Sequence, residues 1–177
     1  GRLVPEKGYH YMIQAMEILK NEGVKFHLSI FGDGALKPEI EFDISNRKLS
    51  DYIVLSPAVN HSKLFKIIQN SDLFVMSSIS EGFPMAPAEA MVIGTPVIAT
   101  NVGGISELIE DGVSGILVAS KSPNQLAESI KNVLTDYDLR STLSYNGKKR
   151  IQDNFSPLII CQKLLNYYSD ILDNRPK

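Results

Sequence analysis

Apolar positions along the first two-thirds of the chain follow two rhythms in turn. Met12, Ala15, Met16 and Leu19 fall on one face at helical spacing, which predicts a helix over residues 9–21. A run of strand character follows at 25–31, then a helix at 36–47 and a strand at 52–55. The same order repeats with a helix at 62–70, a strand at 72–76, a helix at 87–93, a strand at 96–100, a short helix at 105–110 and a strand at 115–118. Short apolar strands separated by helices predict an α/β chain with a doubly wound parallel sheet. From Pro123 onward only helical spacing remains, at 124–134, 137–154 and 157–172, with Ser156 before Pro157 reading as a helix start. A helical C-terminal tail is therefore expected, and no linker, repeat or low-complexity stretch divides residues 1–177 into more than one domain.

In such a sheet the loops after the strands gather at one edge, where ligands bind. Arg2, the Gly32-Asp33-Gly34 turn, residues 57–61, residues 77–84 and residues 101–104 should share that edge. The Gly32-x-Gly34 turn is not a dinucleotide fingerprint, because Lys37 stands where the third glycine belongs and no acidic partner follows at the right distance. A nicotinamide or flavin enzyme is disfavoured.

The segment with most chemistry is EGFPMAPAE, Glu81 to Glu89, which joins a strand end to a helix start. Gly82 permits close approach of a ligand, and Pro87 suits a first helical turn, where a missing N–H costs nothing. The amides of Met85 and Ala86 can then point at an anion. Two acceptor-only carboxylates, Glu81 and Glu89, suit the vicinal hydroxyls of a sugar. The competing reading makes Glu81 a solvated loop charge and Glu89 a complement to the helix dipole. Arg2 and Lys7, just before the first helix, suit phosphate oxygens, although either alone reads equally as a surface cation. His61 is placed to contact a base or phosphate, or simply to cap the helix at Ser62. His10 and His27 have no partners at metal spacing, and no metal site is expected.

Composition narrows the classes. At 177 residues and 44% apolar, the chain is long enough for one full core and short for two. Eighteen Lys and Arg are interspersed among twenty Asp and Glu for a net charge of −2, so no basic groove for a nucleic acid is expected. Cys161, in an apolar helical pattern, has no disulfide partner and reads as a small buried hydrophobe. No run of apolar residues reaches membrane-spanning length, and a cytoplasmic location is expected, with peripheral attachment to the inner membrane surface open to a longer protein.

From Gly1-Arg2-Leu3 to about Val118, and more loosely through the tail, the chain resembles the C-terminal domain of retaining glycosyltransferases of the GT-B fold. The residues that carry the resemblance are GRLVPEKG, the Glu81–seven residues–Glu89 pattern and AMVIGTPVIATNVGGISELIEDGVSGILV. The resemblance implies a Rossmann-like nucleotide-sugar domain whose N-terminal acceptor domain is absent. It makes Arg2 and Lys7 the cations that hold the donor diphosphate without a metal, and Glu81 a catalytic-site carboxylate at the donor sugar. It places Glu89 on the ribose hydroxyls, has Gly82, Phe83, Pro84 and Met85 touch sugar and phosphate, and sets Gly32, Gly34 and His61 around the base. Gly103 and Gly104 would permit a tight turn near the diphosphate, with Glu107 fixing that turn. The implied reaction moves a hexosyl unit from a UDP-, GDP- or ADP-sugar to a hydroxyl of a glycan or lipid-linked acceptor, with no cofactor. A nucleotide-binding module without turnover and another GT-B enzyme, such as an epimerase or phosphorylase, remain as alternatives. For a phosphorylase no lysine site for pyridoxal is credible.

Overall fold

The computed structural model describes residues 1–82 and 84–173. After a single 3₁₀ turn at Pro5–Lys7, the elements run α1 (Tyr9–Asn21), β1 (Leu28–Phe31), α2 (Lys37–Asn46), β2 (Ile53–Ser56), α3 (His61–Gln69) and β3 (Phe74–Met76). They continue with α4 (Met85–Ile93), β4 (Val97–Thr100), α5 (Ile105–Leu108), β5 (Ile116–Val118), α6 (Pro123–Thr135), α7 (Tyr137–Phe155) and α8 (Pro157–Asp173). Each element expected from the sequence is present, in the expected order.

All strand pairs are parallel, in two ladders: β1 with β2, and β3–β4–β5. Side chains along β4 alternate between the two faces of its ladder, which explains why all four of its residues are buried. Ile98 joins a core built from Met12, Ile13, Met16 and Leu19 of α1, from α2, and from Leu126 and Ile130 of α6. Val97 and Ala99 face a second core with Ile68 of α3, Met76, Ala90 and Met91 of α4, and Ile105 of α5. Helices on both faces of parallel strands make the doubly wound, Rossmann-like α/β fold.

The expected single sheet is divided. A cavity of about 570 Å³ lies between the ladders, lined by the consecutive residues 25–31 along β1 and 70–78 along β3. Among the described residues no ladder joins those two edges. Strand β1 is also shorter than the strand expected at 25–31. Residues 25–27 precede the first paired position, Leu28 with Ile53.

The tail corrects one expectation. Cys161 is exposed, on a helix that packs chiefly against α7. Leu158, Ile160, Leu164, Leu165, Tyr167, Tyr168 and Ile171 of α8 are likewise exposed. Among the described residues, no helix is long and apolar enough to cross a membrane.

Candidate active site

Because all strands are parallel, their C-terminal ends share one edge, and the loops there bind one another. The Gly32 amide donates to Ser56 at 3.1 Å, and Ala58 N donates to Asp33 Oδ2 at 3.0 Å, so the turns after β1 and β2 are held together. Leu3 is fully buried and donates to Asp33 O at 2.9 Å, which fixes the backbone beside Arg2. The Arg2 side chain is exposed and has no ion pair among the described residues. Tyr9 reaches the Arg2 carbonyl at 3.5 Å, and burial raises its phenol above the usual range, so it stays a neutral donor.

Glu81 is the most constrained charge at this edge. Lys7 Nζ lies 2.5 Å from Glu81 Oε1, and Ser78 Oγ donates to the same oxygen at 2.5 Å. Only 28% of the Lys7 side chain and 12% of the Glu81 side chain are exposed. The contact joins residues 74 positions apart because the backbone permits it. Gly8 has φ 62°, and a Cβ there would fall 2.2 Å from the Ser77 carbonyl. Two further bonds fasten the same seam: Ser77 Oγ to Lys7 O at 3.1 Å and Ile79 N to Glu6 O at 2.7 Å. Thr100 Oγ1 then donates to the Ser78 carbonyl at 2.5 Å, tying the end of β4 to the loop.

From the other side, Gly103 presses on the Glu81 backbone. It has φ 56°, and a Cβ would meet the Glu81 carbonyl at 1.9 Å. Gly104 N donates to Gly82 O at 3.4 Å. The expectation that Glu107 fixes this turn is met by its backbone alone: its amide donates to Gly104 O at 3.3 Å, and its carboxylate has no hydrogen-bond or ion-pair partner among the described residues.

Helix α4 starts two residues earlier than expected, at Met85, with Pro84 as its N-cap. Pro87 still falls in the first turn, where its missing N–H removes no intrahelical bond. The first such bond runs from Ala88 N to Pro84 O at 3.2 Å, so the amides of Met85 and Ala86 precede it. Glu89 lies one turn further along α4. Its Oε1 is 3.2 Å from His61 Nε2, with 29% of the Glu89 side chain and 68% of the His61 side chain exposed. The capping role considered for His61 belongs to its neighbour, since Asn60 Oδ1 accepts from Lys63 N at 2.9 Å.

Lys7, Ser77, Ser78, Ala86 and Glu89 are among the residues that line the cavity between the ladders. Lys7 and Glu89 thus border one space, with Glu81 bonded to Lys7 at its margin. Gly32 and Gly34 are explained by packing: added Cβ atoms would lie 1.8 Å from the Gly1 carbonyl and 2.5 Å from that of Leu3. Phe83 lies outside the described residues. His10 binds Asp43 at 3.0 Å and Gln14 at 2.7 Å across α1 and α2, His27 is exposed, and no cluster of metal-ligating side chains occurs among the described residues. Sequence reasoning missed Ser78. Its only signal was a pair of serines directly after an apolar strand, both of which are buried.

Comparison with known proteins agrees with this fold. A family model described as "Glycosyl transferases group 1" matches residues 1–150. The capsular polysaccharide biosynthesis glycosyltransferase CapM of Staphylococcus aureus is 33% identical over 97% of this chain and 45% of its own. A crystal structure of an S. aureus TarM variant, in complex with UDP, α-GlcNAc-glycerol and fondaparinux, superposes with a TM-score of 0.83 at 27% identity, over 94% of this chain and 34% of that one. Sucrose-phosphate synthase of Thermosynechococcus elongatus gives a TM-score of 0.86 at 27% identity, over 99% of this chain and 45% of that one. The chain spans less than half the length of the curated relatives it matches. With the fold and the family match in agreement, the chain belongs to the group 1 glycosyltransferases and corresponds to the C-terminal half of a GT-B enzyme.

Proposed function

We propose that this chain is the donor-binding half of a retaining glycosyltransferase, which moves a hexosyl unit from a nucleoside-diphosphate sugar to a hydroxyl of a glycan or lipid-linked acceptor. The observation that carries the reading is that Lys7, Ala86 in the first turn of α4, and Glu89 all line the cavity between the ladders, beside the loops that follow the parallel strands. An anion at this place meets a lysine and the positive end of a helix, while a ribose finds a carboxylate one helical turn away.

In the reaction the bond from the anomeric carbon to phosphate oxygen breaks, and the diphosphate leaves with the electron pair. The acceptor oxygen forms its bond on the face the diphosphate left, and the hydroxyl proton ends on the released diphosphate. Rate arises where negative charge grows: Lys7, Arg2 and the Met85 and Ala86 amides meet the departing phosphate oxygens. Two cations and helix-end amides can neutralise a diphosphate without a metal ion. Glu81, held by Lys7 and Ser78, orients the sugar hydroxyls. Lys7 engages that carboxylate and the phosphate together, so the ion pair links sugar placement to leaving-group stabilisation.

Titration calorimetry with UDP, GDP and ADP, with magnesium and with a chelator, tests this reading. UDP comes first, as the nucleotide of the TarM complex. One nucleotide should bind equally well without metal, and Lys7→Ala and Glu89→Ala should each weaken it about tenfold or more. Binding by none of the three, or binding indifferent to both substitutions, overturns it.

A further inference from the structure

We infer that His61 is a positioning residue for nucleotide recognition, acting through Glu89 to set the preference for ribose over 2′-deoxyribose. The inference rests on reading Glu89 as the ribose-binding carboxylate. It assigns His61 a role other than direct contact with base or phosphate.

The argument starts from the two helices. Asn60 caps α3, so the first residue of that helix, His61, is released from capping and projects its ring from a fixed backbone. Because α3 packs against α4, the ring reaches Glu89 at 3.2 Å. An ionised carboxylate only accepts hydrogen bonds, so Nε2 carries the proton and donates to Oε1. Phe65, one turn along α3, holds its ring centroid 6.1 Å from that of His61, on the helix that carries both. The bond engages one carboxylate oxygen and leaves the other to accept from a ligand.

Two hydroxyls of a ribose must meet a carboxylate at a fixed orientation, yet a glutamate side chain has three rotatable bonds. Freed from His61, Glu89 would still attract a hydroxyl donor but would lose the orientation that rewards two of them. The pair is too exposed to contribute much to folding. That separates an orienting role from a structural one.

The test measures, by calorimetry, the affinity of the best-bound diphosphate among UDP, GDP and ADP and of its 2′-deoxy counterpart. The proteins are the unaltered chain, His61→Ala, His61→Gln and Glu89→Ala, with a thermal melt of each. The unaltered chain should prefer the ribonucleotide, and Glu89→Ala should abolish the preference. His61→Ala should shrink it by about threefold to tenfold, the weight of one hydrogen bond, at an unchanged melting temperature. His61→Gln, whose amide can donate at similar reach, should restore it. A preference that survives His61→Ala but not Glu89→Ala overturns the inference and leaves the ribose reading standing. A preference that survives Glu89→Ala, or no binding by any nucleotide, overturns both. Equal loss of the two affinities with a lower melting temperature makes His61 structural and overturns the inference alone.

Discussion

Glu81 and Glu89 stand eight residues apart on one loop-helix segment, yet their surroundings differ. Glu81 is clamped from three directions: by a half-buried lysine, by a buried serine, and by a glycine pressed on its backbone. Glu89 has one neighbour, an exposed histidine on another helix. A clamped carboxylate suits a group whose position decides where a bond breaks, because misplacement there costs rate steeply. A carboxylate oriented by one partner and otherwise open suits recognition, where the hydroxyls of the ligand complete the arrangement.

The contrast can be broken most severely at Gly103. Gly103→Ala forces a Cβ into the Glu81 carbonyl at a positive φ, so unfolding free energy in urea should fall by about 2 kcal/mol or more, and nucleotide affinity should fall with it. If both values hold, the backbone contact does not place Glu81. Next in size, Lys7→Met leaves Glu81 mostly buried without its cation, and stability should drop by about 1–2 kcal/mol. The same variant should bind a nucleoside as before while losing the diphosphate, which calorimetry with both ligands shows. Ser78→Ala removes one bond to Glu81 and should cost about 1 kcal/mol in the same denaturation assay. The smallest effect belongs to the other carboxylate: because the His61–Glu89 contact is largely exposed, His61→Ala should leave the unfolding free energy in urea within about 0.5 kcal/mol of the unaltered chain.

The two environments also differ in how far the sequence disclosed them. The strand-helix alternation could be read from residue periodicity, and α1 falls on its expected residues, because Met12, Ile13, Met16 and Leu19 form a continuous apolar stripe. The boundaries of α4 shifted because Pro84 can serve as an N-cap and Pro87 tolerates the third helical position. Both carboxylates were legible as a pair, and their chemistry came from the family resemblance. The partners of Glu81 were less so. Lys7 is far away in sequence, and Ser78 has no motif; the backbone closeness of Gly8 and Ser77 that unites them is a property of three-dimensional packing. His61 was singled out, but its capping alternative failed because Asn60 is the better acceptor geometry one residue earlier. Periodicity also could not show that α8 would be exposed or that the sheet would part between β1 and β3, since it reports which face of an element is apolar and not what lies opposite.

That parting has a consequence for how the molecule meets its own kind. An open strand edge normally invites a second molecule to extend the sheet, which is a route to aggregation. Here two of the four strand edges, those of β1 and β3, line a common cavity about 570 Å³ in size, while β2 and β5 form the outer edges of the two ladders. A copy of the domain cannot lay its own edge in that cavity without first threading a strand between β1 and β3. A single extended segment running parallel to β1 and β3 would instead be hydrogen-bonded on both sides at once, a pairing that the outer edges of β2 and β5 offer on one side only.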